Sequence, residues 1–242
     1  MSKLLNWLDQ HLLSILAGFL LVFIPLYPKL PLFDIIPGYI VRVRLEDFFI
    51  ALTVGVWLIQ LIRKKVRLHP LMTKLILIYA IIGLLSSLSA LFITKTVPLS
   101  DIHIAKLFLH YFRRLEYFSL FFVFYSAIKS VKDVKRYLII LILTMIGVAG
   151  YGYGQKYLYW PVFSTMNREF SKGWRLYLSE HARVPSTFGG HYDAAAFTMM
   201  IITILLAFTW FAKSRWVKAL SLFGFVTGFW LLILTASRTS FI

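Results

Sequence analysis

The chain has no cysteine. This rules out disulfides and thiolate metal sites, though it leaves the compartment open. Acidic residues are also scarce: Asp and Glu total 10 against 26 Lys and Arg, and charged residues make up only 15% of the 242 positions. A soluble domain of this length carries about a quarter charged residues and is about half apolar. Here 60% of residues are hydrophobic. An excess of that size has no interior large enough to hold it, so it faces lipid. The net charge of +16 would suggest nucleic acid in a soluble protein. In this chain the basic residues form short clusters between apolar runs, which is the pattern of membrane anchoring, so no nucleic-acid partner is expected. Internal repeats, low-complexity tracts and strand-like alternation within the apolar runs are also missing.

What is present is a series of apolar runs, each near the roughly 20 residues that cross a hydrocarbon core. They lie at about 11–28, 46–62, 71–93, 105–128, 136–154, 192–212 and 216–236, with the start of an eighth at about Arg238. An open sheet cannot span lipid, so the expected class is all-α, a polytopic helical bundle forming one transmembrane domain over 1–242. The apolar run after Lys3 is followed by Pro25-Leu26-Tyr27-Pro28 instead of a small-residue cleavage site, and it reads as a retained first helix. Three basic clusters fall on one side when the runs are threaded in order. They are Arg63-Lys64-Lys65 with Arg67, then Lys129, Lys132, Lys135 and Arg136, then Lys213, Arg215 and Lys218. That side is the cytoplasm by the positive-inside rule, and the N-terminus shares it. Loops 29–45, 94–104 and 155–191, and the stretch from 236, then face outward.

The 155–191 loop is basic on the side where positive charge is normally depleted, and it is rich in Tyr, Trp and Phe. Much of it fits an interfacial segment, with rings at headgroup depth and cations near anionic lipid. Its end is more specific: Arg183-Val184-Pro185-Ser186-Thr187-Phe188-Gly189-Gly190-His191-Tyr192-Asp193. Pro185 disfavours helix just before it, and Gly189-Gly190 permits a tight turn or close backbone approach. Arg183 therefore lies in irregular backbone at the mouth of a helix, where free amides favour an anion and a guanidinium binds phosphate oxygens in pairs. Snorkelling to lipid headgroups is the alternative. Arg238, in Thr235-Ala236-Ser237-Arg238-Thr239-Ser240, falls on the same side, with Ser237 among its neighbouring hydroxyls. His191 suits proton transfer with Asp193 orienting it, while Asp193 equally suits a helix cap. The spacing of Glu180, His181, His191 and Asp193 matches no compact metal-ligand pattern, and no metal or cofactor is expected.

Two other polar stretches stand out. His103, Lys106, His110 and Arg113 recur at helical spacing in the fourth run. Such a stripe belongs against protein, a cavity or the interface. Arg113 can pair with Glu116 one turn on. Arg114 points elsewhere and needs another partner. Val41-Arg42-Val43-Arg44-Leu45-Glu46-Asp47 alternates and then turns acidic at a helix start, where acid is favourable.

The turn Arg183 to Asp193 and the later Leu-Thr-Ala-Ser-Arg-Thr are similar to motifs of the O-antigen ligase and polymerase superfamily, as is the Arg42–Asp47 entry to the second run. The resemblance implies a GT-C-like helical fold in the bacterial cytoplasmic (inner) membrane. It implies a metal-independent glycosyltransferase that moves a glycan from an undecaprenyl-diphosphate carrier to a glycan or lipid acceptor during envelope polysaccharide synthesis, including lipopolysaccharide. By the same resemblance Arg183 and Arg238 would hold the donor diphosphate. The family also has a large external loop with an essential histidine, and His191 does not match that motif. The catalytic group is thus unassigned, and the expectation is an N-terminal portion of a longer protein. A transporter or flippase for an anionic lipid-linked substrate and a non-catalytic membrane subunit remain alternatives.

Overall fold

The computed structural model describes residues 3–37, 39, 41–66, 68–167 and 169–237. Seven α-helices account for most of these residues. They are α1 (Lys3–Leu26), α2 (Leu45–Ile62), α3 (Pro70–Phe92), α4 (Asp101–Ala127), α5 (Val131–Tyr157), α6 (His191–Phe211) and α7 (Arg215–Thr235). Strands β1 (Pro31–Asp34) and β2 (Arg42–Arg44) pair as a two-stranded ribbon between α1 and α2. The class is all-α, and the helices are those of a membrane bundle.

Local sequence explains the helix starts. Pro70 opens α3, where its missing N–H costs nothing, and the His69 side chain accepts from Met72 N at 3.2 Å. Ser130 caps α5: its hydroxyl accepts from Asp133 N at 3.3 Å and donates to Asp133 Oδ2 at 2.8 Å. α7 ends on Ala236 in the left-handed region (φ 48°).

Five helices, α2, α3, α5, α6 and α7, are long and apolar enough to cross a membrane. The apolar runs of the sequence number seven. The apolar part of α1, His11–Leu26, is shorter, and α4 carries the Lys106–Glu116 charges along its length. α3 leaves most of its apolar surface uncovered, as expected of a helix that faces lipid.

The chain divides into two compact units. One comprises Met1–Ala17, Asp34–Val43 and Asp47–Lys129; the other comprises Gly18–Phe33, Arg44–Glu46 and Ser130–Ile242. In the first, α3 packs on α4. Tyr111 donates to Ala80 O at 2.9 Å, and Trp57 Nε1 donates to Ser126 Oγ at 3.0 Å. Arg113 forms a forked pair with Asp47 through Nη1–Oδ1 and Nη2–Oδ2 (the latter 3.1 Å), pairs with Glu116 at 3.1 Å, and donates to Arg42 O at 3.2 Å. The expected Arg113–Glu116 pair is therefore present, and it is joined by an Asp47 contact 66 residues away in the chain.

In the second unit the core is Ile142, Met145, Val148 and Ala149 of α5, Leu205 of α6 and Leu231 of α7. Glycines let these helices approach closely, as small residues do between membrane helices. A Cβ on Gly228 would lie 2.6 Å from Ile202 Cγ2, and one on Gly224 would lie 3.0 Å from Leu205 Cδ1. Glu46, in the first turn of α2, pairs with Lys29 at 2.5 Å and with Arg44 at 3.2 Å. The acid at this helix start is thus held by specific cations as well as by the helix end.

Candidate functional site

The loop after α5 is anchored at its base. Trp160 folds back over the last turn of α5, with its backbone N–H donating to Gly154 O at 3.1 Å. A Cβ on Gly154 would sit 2.2 Å from the indole, so glycine is required for this approach. Val162 and Leu176 then form an isolated antiparallel bridge, with N···O distances of 2.7 and 3.0 Å. Between them the chain makes a single 3₁₀ turn, Phe170–Lys172, and turns on Gly173 at φ 80°. Tyr157, Tyr159, Trp160, Phe170, Trp174 and Tyr177 are all exposed. This suits rings placed at a bilayer interface.

The 183–193 turn is held far more tightly. Val184, Ser186 and Thr187 are buried. Val184 N donates to Leu234 O at 3.1 Å, and Phe188 N donates to Pro185 O at 3.1 Å. Ser186 adopts φ 52°, a left-handed conformation unusual for serine, and its hydroxyl donates to Val148 O at 2.6 Å. Thr187 donates to Pro25 O. Gly189 O accepts from Thr165 N at 2.7 Å and from Ser164 Oγ at 2.9 Å. A Cβ on Gly189 would lie 2.0 Å from Thr165 Oγ1, so the Gly189-Gly190 pair provides the close approach expected of it.

Gln155 is the central support. It is fully buried, and its amide donates to Ser186 O at 2.9 Å and to Pro161 O at 3.2 Å. Its Oε1 has no hydrogen-bond partner among the described residues.

On this base Arg183 is exposed. One guanidinium nitrogen lies 3.0 Å from His191 Nε2 and 3.5 Å from the Tyr192 hydroxyl. Arginine only donates, so His191 Nε2 must accept and the imidazole is neutral, with its proton on Nδ1. His191 is buried, and its ring lies 4.1 Å from that of Tyr192. The other Arg183 N–H groups make no bond among the described residues. Gly190 is the N-cap of α6 and provides no side-chain cap; Asp193, in the first helical turn, is exposed. Arg183 is thus held against His191 and Tyr192 in the first turn of α6, a helix start with no side-chain cap.

No family model, curated protein or solved structure matches this chain.

Of the residues singled out from sequence, the structure brings Arg183 and His191 into direct contact, with Asp193 two residues further along the same helix start. Ser237 is buried at the end of α7, and Arg238 lies outside the described residues. The Val184–Leu234 bond ties the Arg183 turn to the segment that leads into Ser237 and Arg238. Tyr192 and Gln155 were not singled out as functional. Tyr192 had a usable signal, being the aromatic next to a histidine at a helix start. Gln155 had none, since its contact with Ser186 spans 31 residues of sequence.

Proposed function

We propose that this protein is a membrane glycosyltransferase of the O-antigen ligase type. It would take a glycan from an undecaprenyl-diphosphate carrier at the outer face of the bacterial cytoplasmic membrane and deliver it to an envelope acceptor. In this reading α1 and α4 complete a set of seven spans in a GT-C-like bundle with a cytoplasmic N-terminus. The three basic clusters then fall at the cytoplasmic ends of α2 and α3, of α4 and α5, and of α6 and α7.

One observation carries the reading. An exposed guanidinium with unused donors sits beside an uncapped helix N-terminus, on a turn locked to α5 and α7. That combination suits two adjacent phosphate charges: the helix amides take one, and the guanidinium takes the other in forked geometry. In transfer, the carrier diphosphate gains negative charge as the glycosidic bond to the sugar breaks. A fixed cation at that place stabilises the leaving group. His191 would orient Arg183 through Nε2 and would not act as the base. Ser237 and Arg238 would supply the second half of the diphosphate grip.

The test is glycan transfer in membranes containing the protein, using a labelled polyprenyl-diphosphate glycan. Arg183→Ala should lower transfer by roughly a hundredfold, since loss of one oxyanion donor costs about that much. Insertion into the membrane should be unchanged. Transfer at the wild-type rate in Arg183→Ala would end the assignment.

A further inference from the structure

Unlike the exposed rings of the 157–177 stretch, Tyr192 is held directly against the proposed diphosphate site. It lies in the first turn of α6, whose backbone is fixed by the bond from Ala194 N to Gly190 O at 3.2 Å. Its ring lies 4.1 Å from the His191 ring at a tilt of 40°, and its hydroxyl is 3.5 Å from Arg183 Nη1. Even so, 55% of the residue is exposed. His191 to one side and Arg183 at the rim therefore leave an open aromatic surface next to the guanidinium.

Position and chemistry together limit what meets that surface. Arg183, as the cation that takes up the charge left when the glycosidic bond breaks, belongs at the sugar-bearing phosphate. The sugar is joined to that phosphate through one oxygen, so its ring lies about one ring's width from the guanidinium. The isoprenoid leaves from the other phosphate. A pyranose presents a face of C–H groups with slight positive charge, which suits the negative face of an aromatic ring. Asp193 follows Tyr192 in the same helical turn and is exposed. A carboxylate there accepts bonds from sugar hydroxyls, whereas covering it with an isoprenoid is costly. Because His191 and Arg183 already contact the ring, little side-chain freedom is lost when a sugar stacks on it.

We infer that Tyr192 is the sugar platform of this site: its open ring surface stacks on the pyranose joined to the diphosphate and sets a preference for the glycan-bearing carrier. The inference rests on the diphosphate reading of Arg183 and adds the sugar half to it.

The experiment measures binding of two ligands to the purified full chain in nanodiscs: undecaprenyl diphosphate and undecaprenyl-diphosphate N-acetylglucosamine. Each variant is scored by its loss for each ligand relative to wild type, so the unequal charges of the two ligands cancel. Tyr192→Leu should lose roughly three- to tenfold for the glycosylated carrier, the worth of one aromatic contact, and nothing for the bare one. Tyr192→Ala should behave alike and decides the matter if the Leu variant does not fold. Tyr192→Phe keeps the ring and should keep most of the glycan increment. Arg183→Ala should weaken both ligands. Equal losses for the two ligands in Tyr192→Leu, or no loss for either, would overturn the inference and leave the Arg183 reading standing. A Tyr192→Phe loss as large as that of Tyr192→Leu would assign the effect to the hydroxyl beside Arg183 and overturn stacking. Carrier binding that does not depend on Arg183 would end the diphosphate reading and the sugar platform with it.

Discussion

Gln155 offers the sharpest test of how the Arg183 turn is held. Gln155→Leu keeps nearly the same volume and removes the amide that bridges Ser186 O and Pro161 O. Two hydrogen bonds at about 1 kcal/mol each set a loss of about 2 kcal/mol. Part of this is returned, because the same change removes Oε1, a buried acceptor with no partner; relieving such a group is worth about 1 kcal/mol or more. The expected net destabilisation is therefore small, about 1 kcal/mol. Gln155→Glu behaves differently. It points a carboxylate at two carbonyl oxygens in a fully buried position, and an unpaired buried charge costs several kcal/mol. Protonating the introduced carboxyl should recover much of that loss at low pH. The measurement is thermal unfolding in detergent, paired with limited proteolysis of the 158–190 loop. The expected order of stability is wild type, then Leu, then Glu, with Glu also the most readily cleaved. A Glu variant as stable as the Leu variant at neutral pH would refute the claim that Gln155 acts as a donor to the turn.

Further outcomes follow from single contacts. Gly189→Ala forces a Cβ to within 2.0 Å of Thr165 Oγ1, so it should destabilise by about 1–3 kcal/mol in thermal unfolding and weaken any ligand held by Arg183; an unchanged melting temperature would contradict the close approach. Asp47→Asn removes the forked partner of Arg113 and should cost about 1–3 kcal/mol, more than Glu116→Gln, which removes the lesser contact; the reverse order would count against Asp47 as the main partner. Because the chain lacks cysteine, single thiols report topology directly. Tyr177→Cys, at an exposed position, should react with an impermeant maleimide on intact cells, and Lys132→Cys should not. Ser186 is unsuitable for this purpose, because it is buried and bonded to Val148 O.

The helices were legible in the sequence because apolar runs and basic clusters mark where lipid begins and ends. Their true ends were less so. α4 and α5 begin at Asp101 and Val131, four and five residues earlier than the hydropathy suggests. At α5 the Ser130 cap satisfies a first-turn amide and starts the helix ahead of its apolar run, whereas Ser100 before α4 makes no such side-chain bond. The ribbon at Arg42–Arg44 was visible only as an alternating pattern, since strand pairing depends on a partner that periodicity does not reveal. In the site, Arg183 and the two glycines could be found because each has an intrinsic backbone or charge signature. Gln155, Ser164 and Thr165 could not, because their roles exist only through contacts between distant parts of the chain. The same holds for Arg114: the sequence showed that it needed a partner, and only the packing of α3 on α4 showed the cleft that it lines.

The central claim is that Arg183 holds a diphosphate at the start of α6. Direct binding of undecaprenyl diphosphate to the purified protein in nanodiscs tests it without requiring turnover. The account predicts that Arg183→Ala weakens binding roughly tenfold or more and that Arg183→Lys restores only part, because a lysine provides the charge without the fork. It also predicts that undecaprenol, which lacks the diphosphate, binds both forms equally weakly. Equal affinity of wild type and Arg183→Ala for undecaprenyl diphosphate would contradict it.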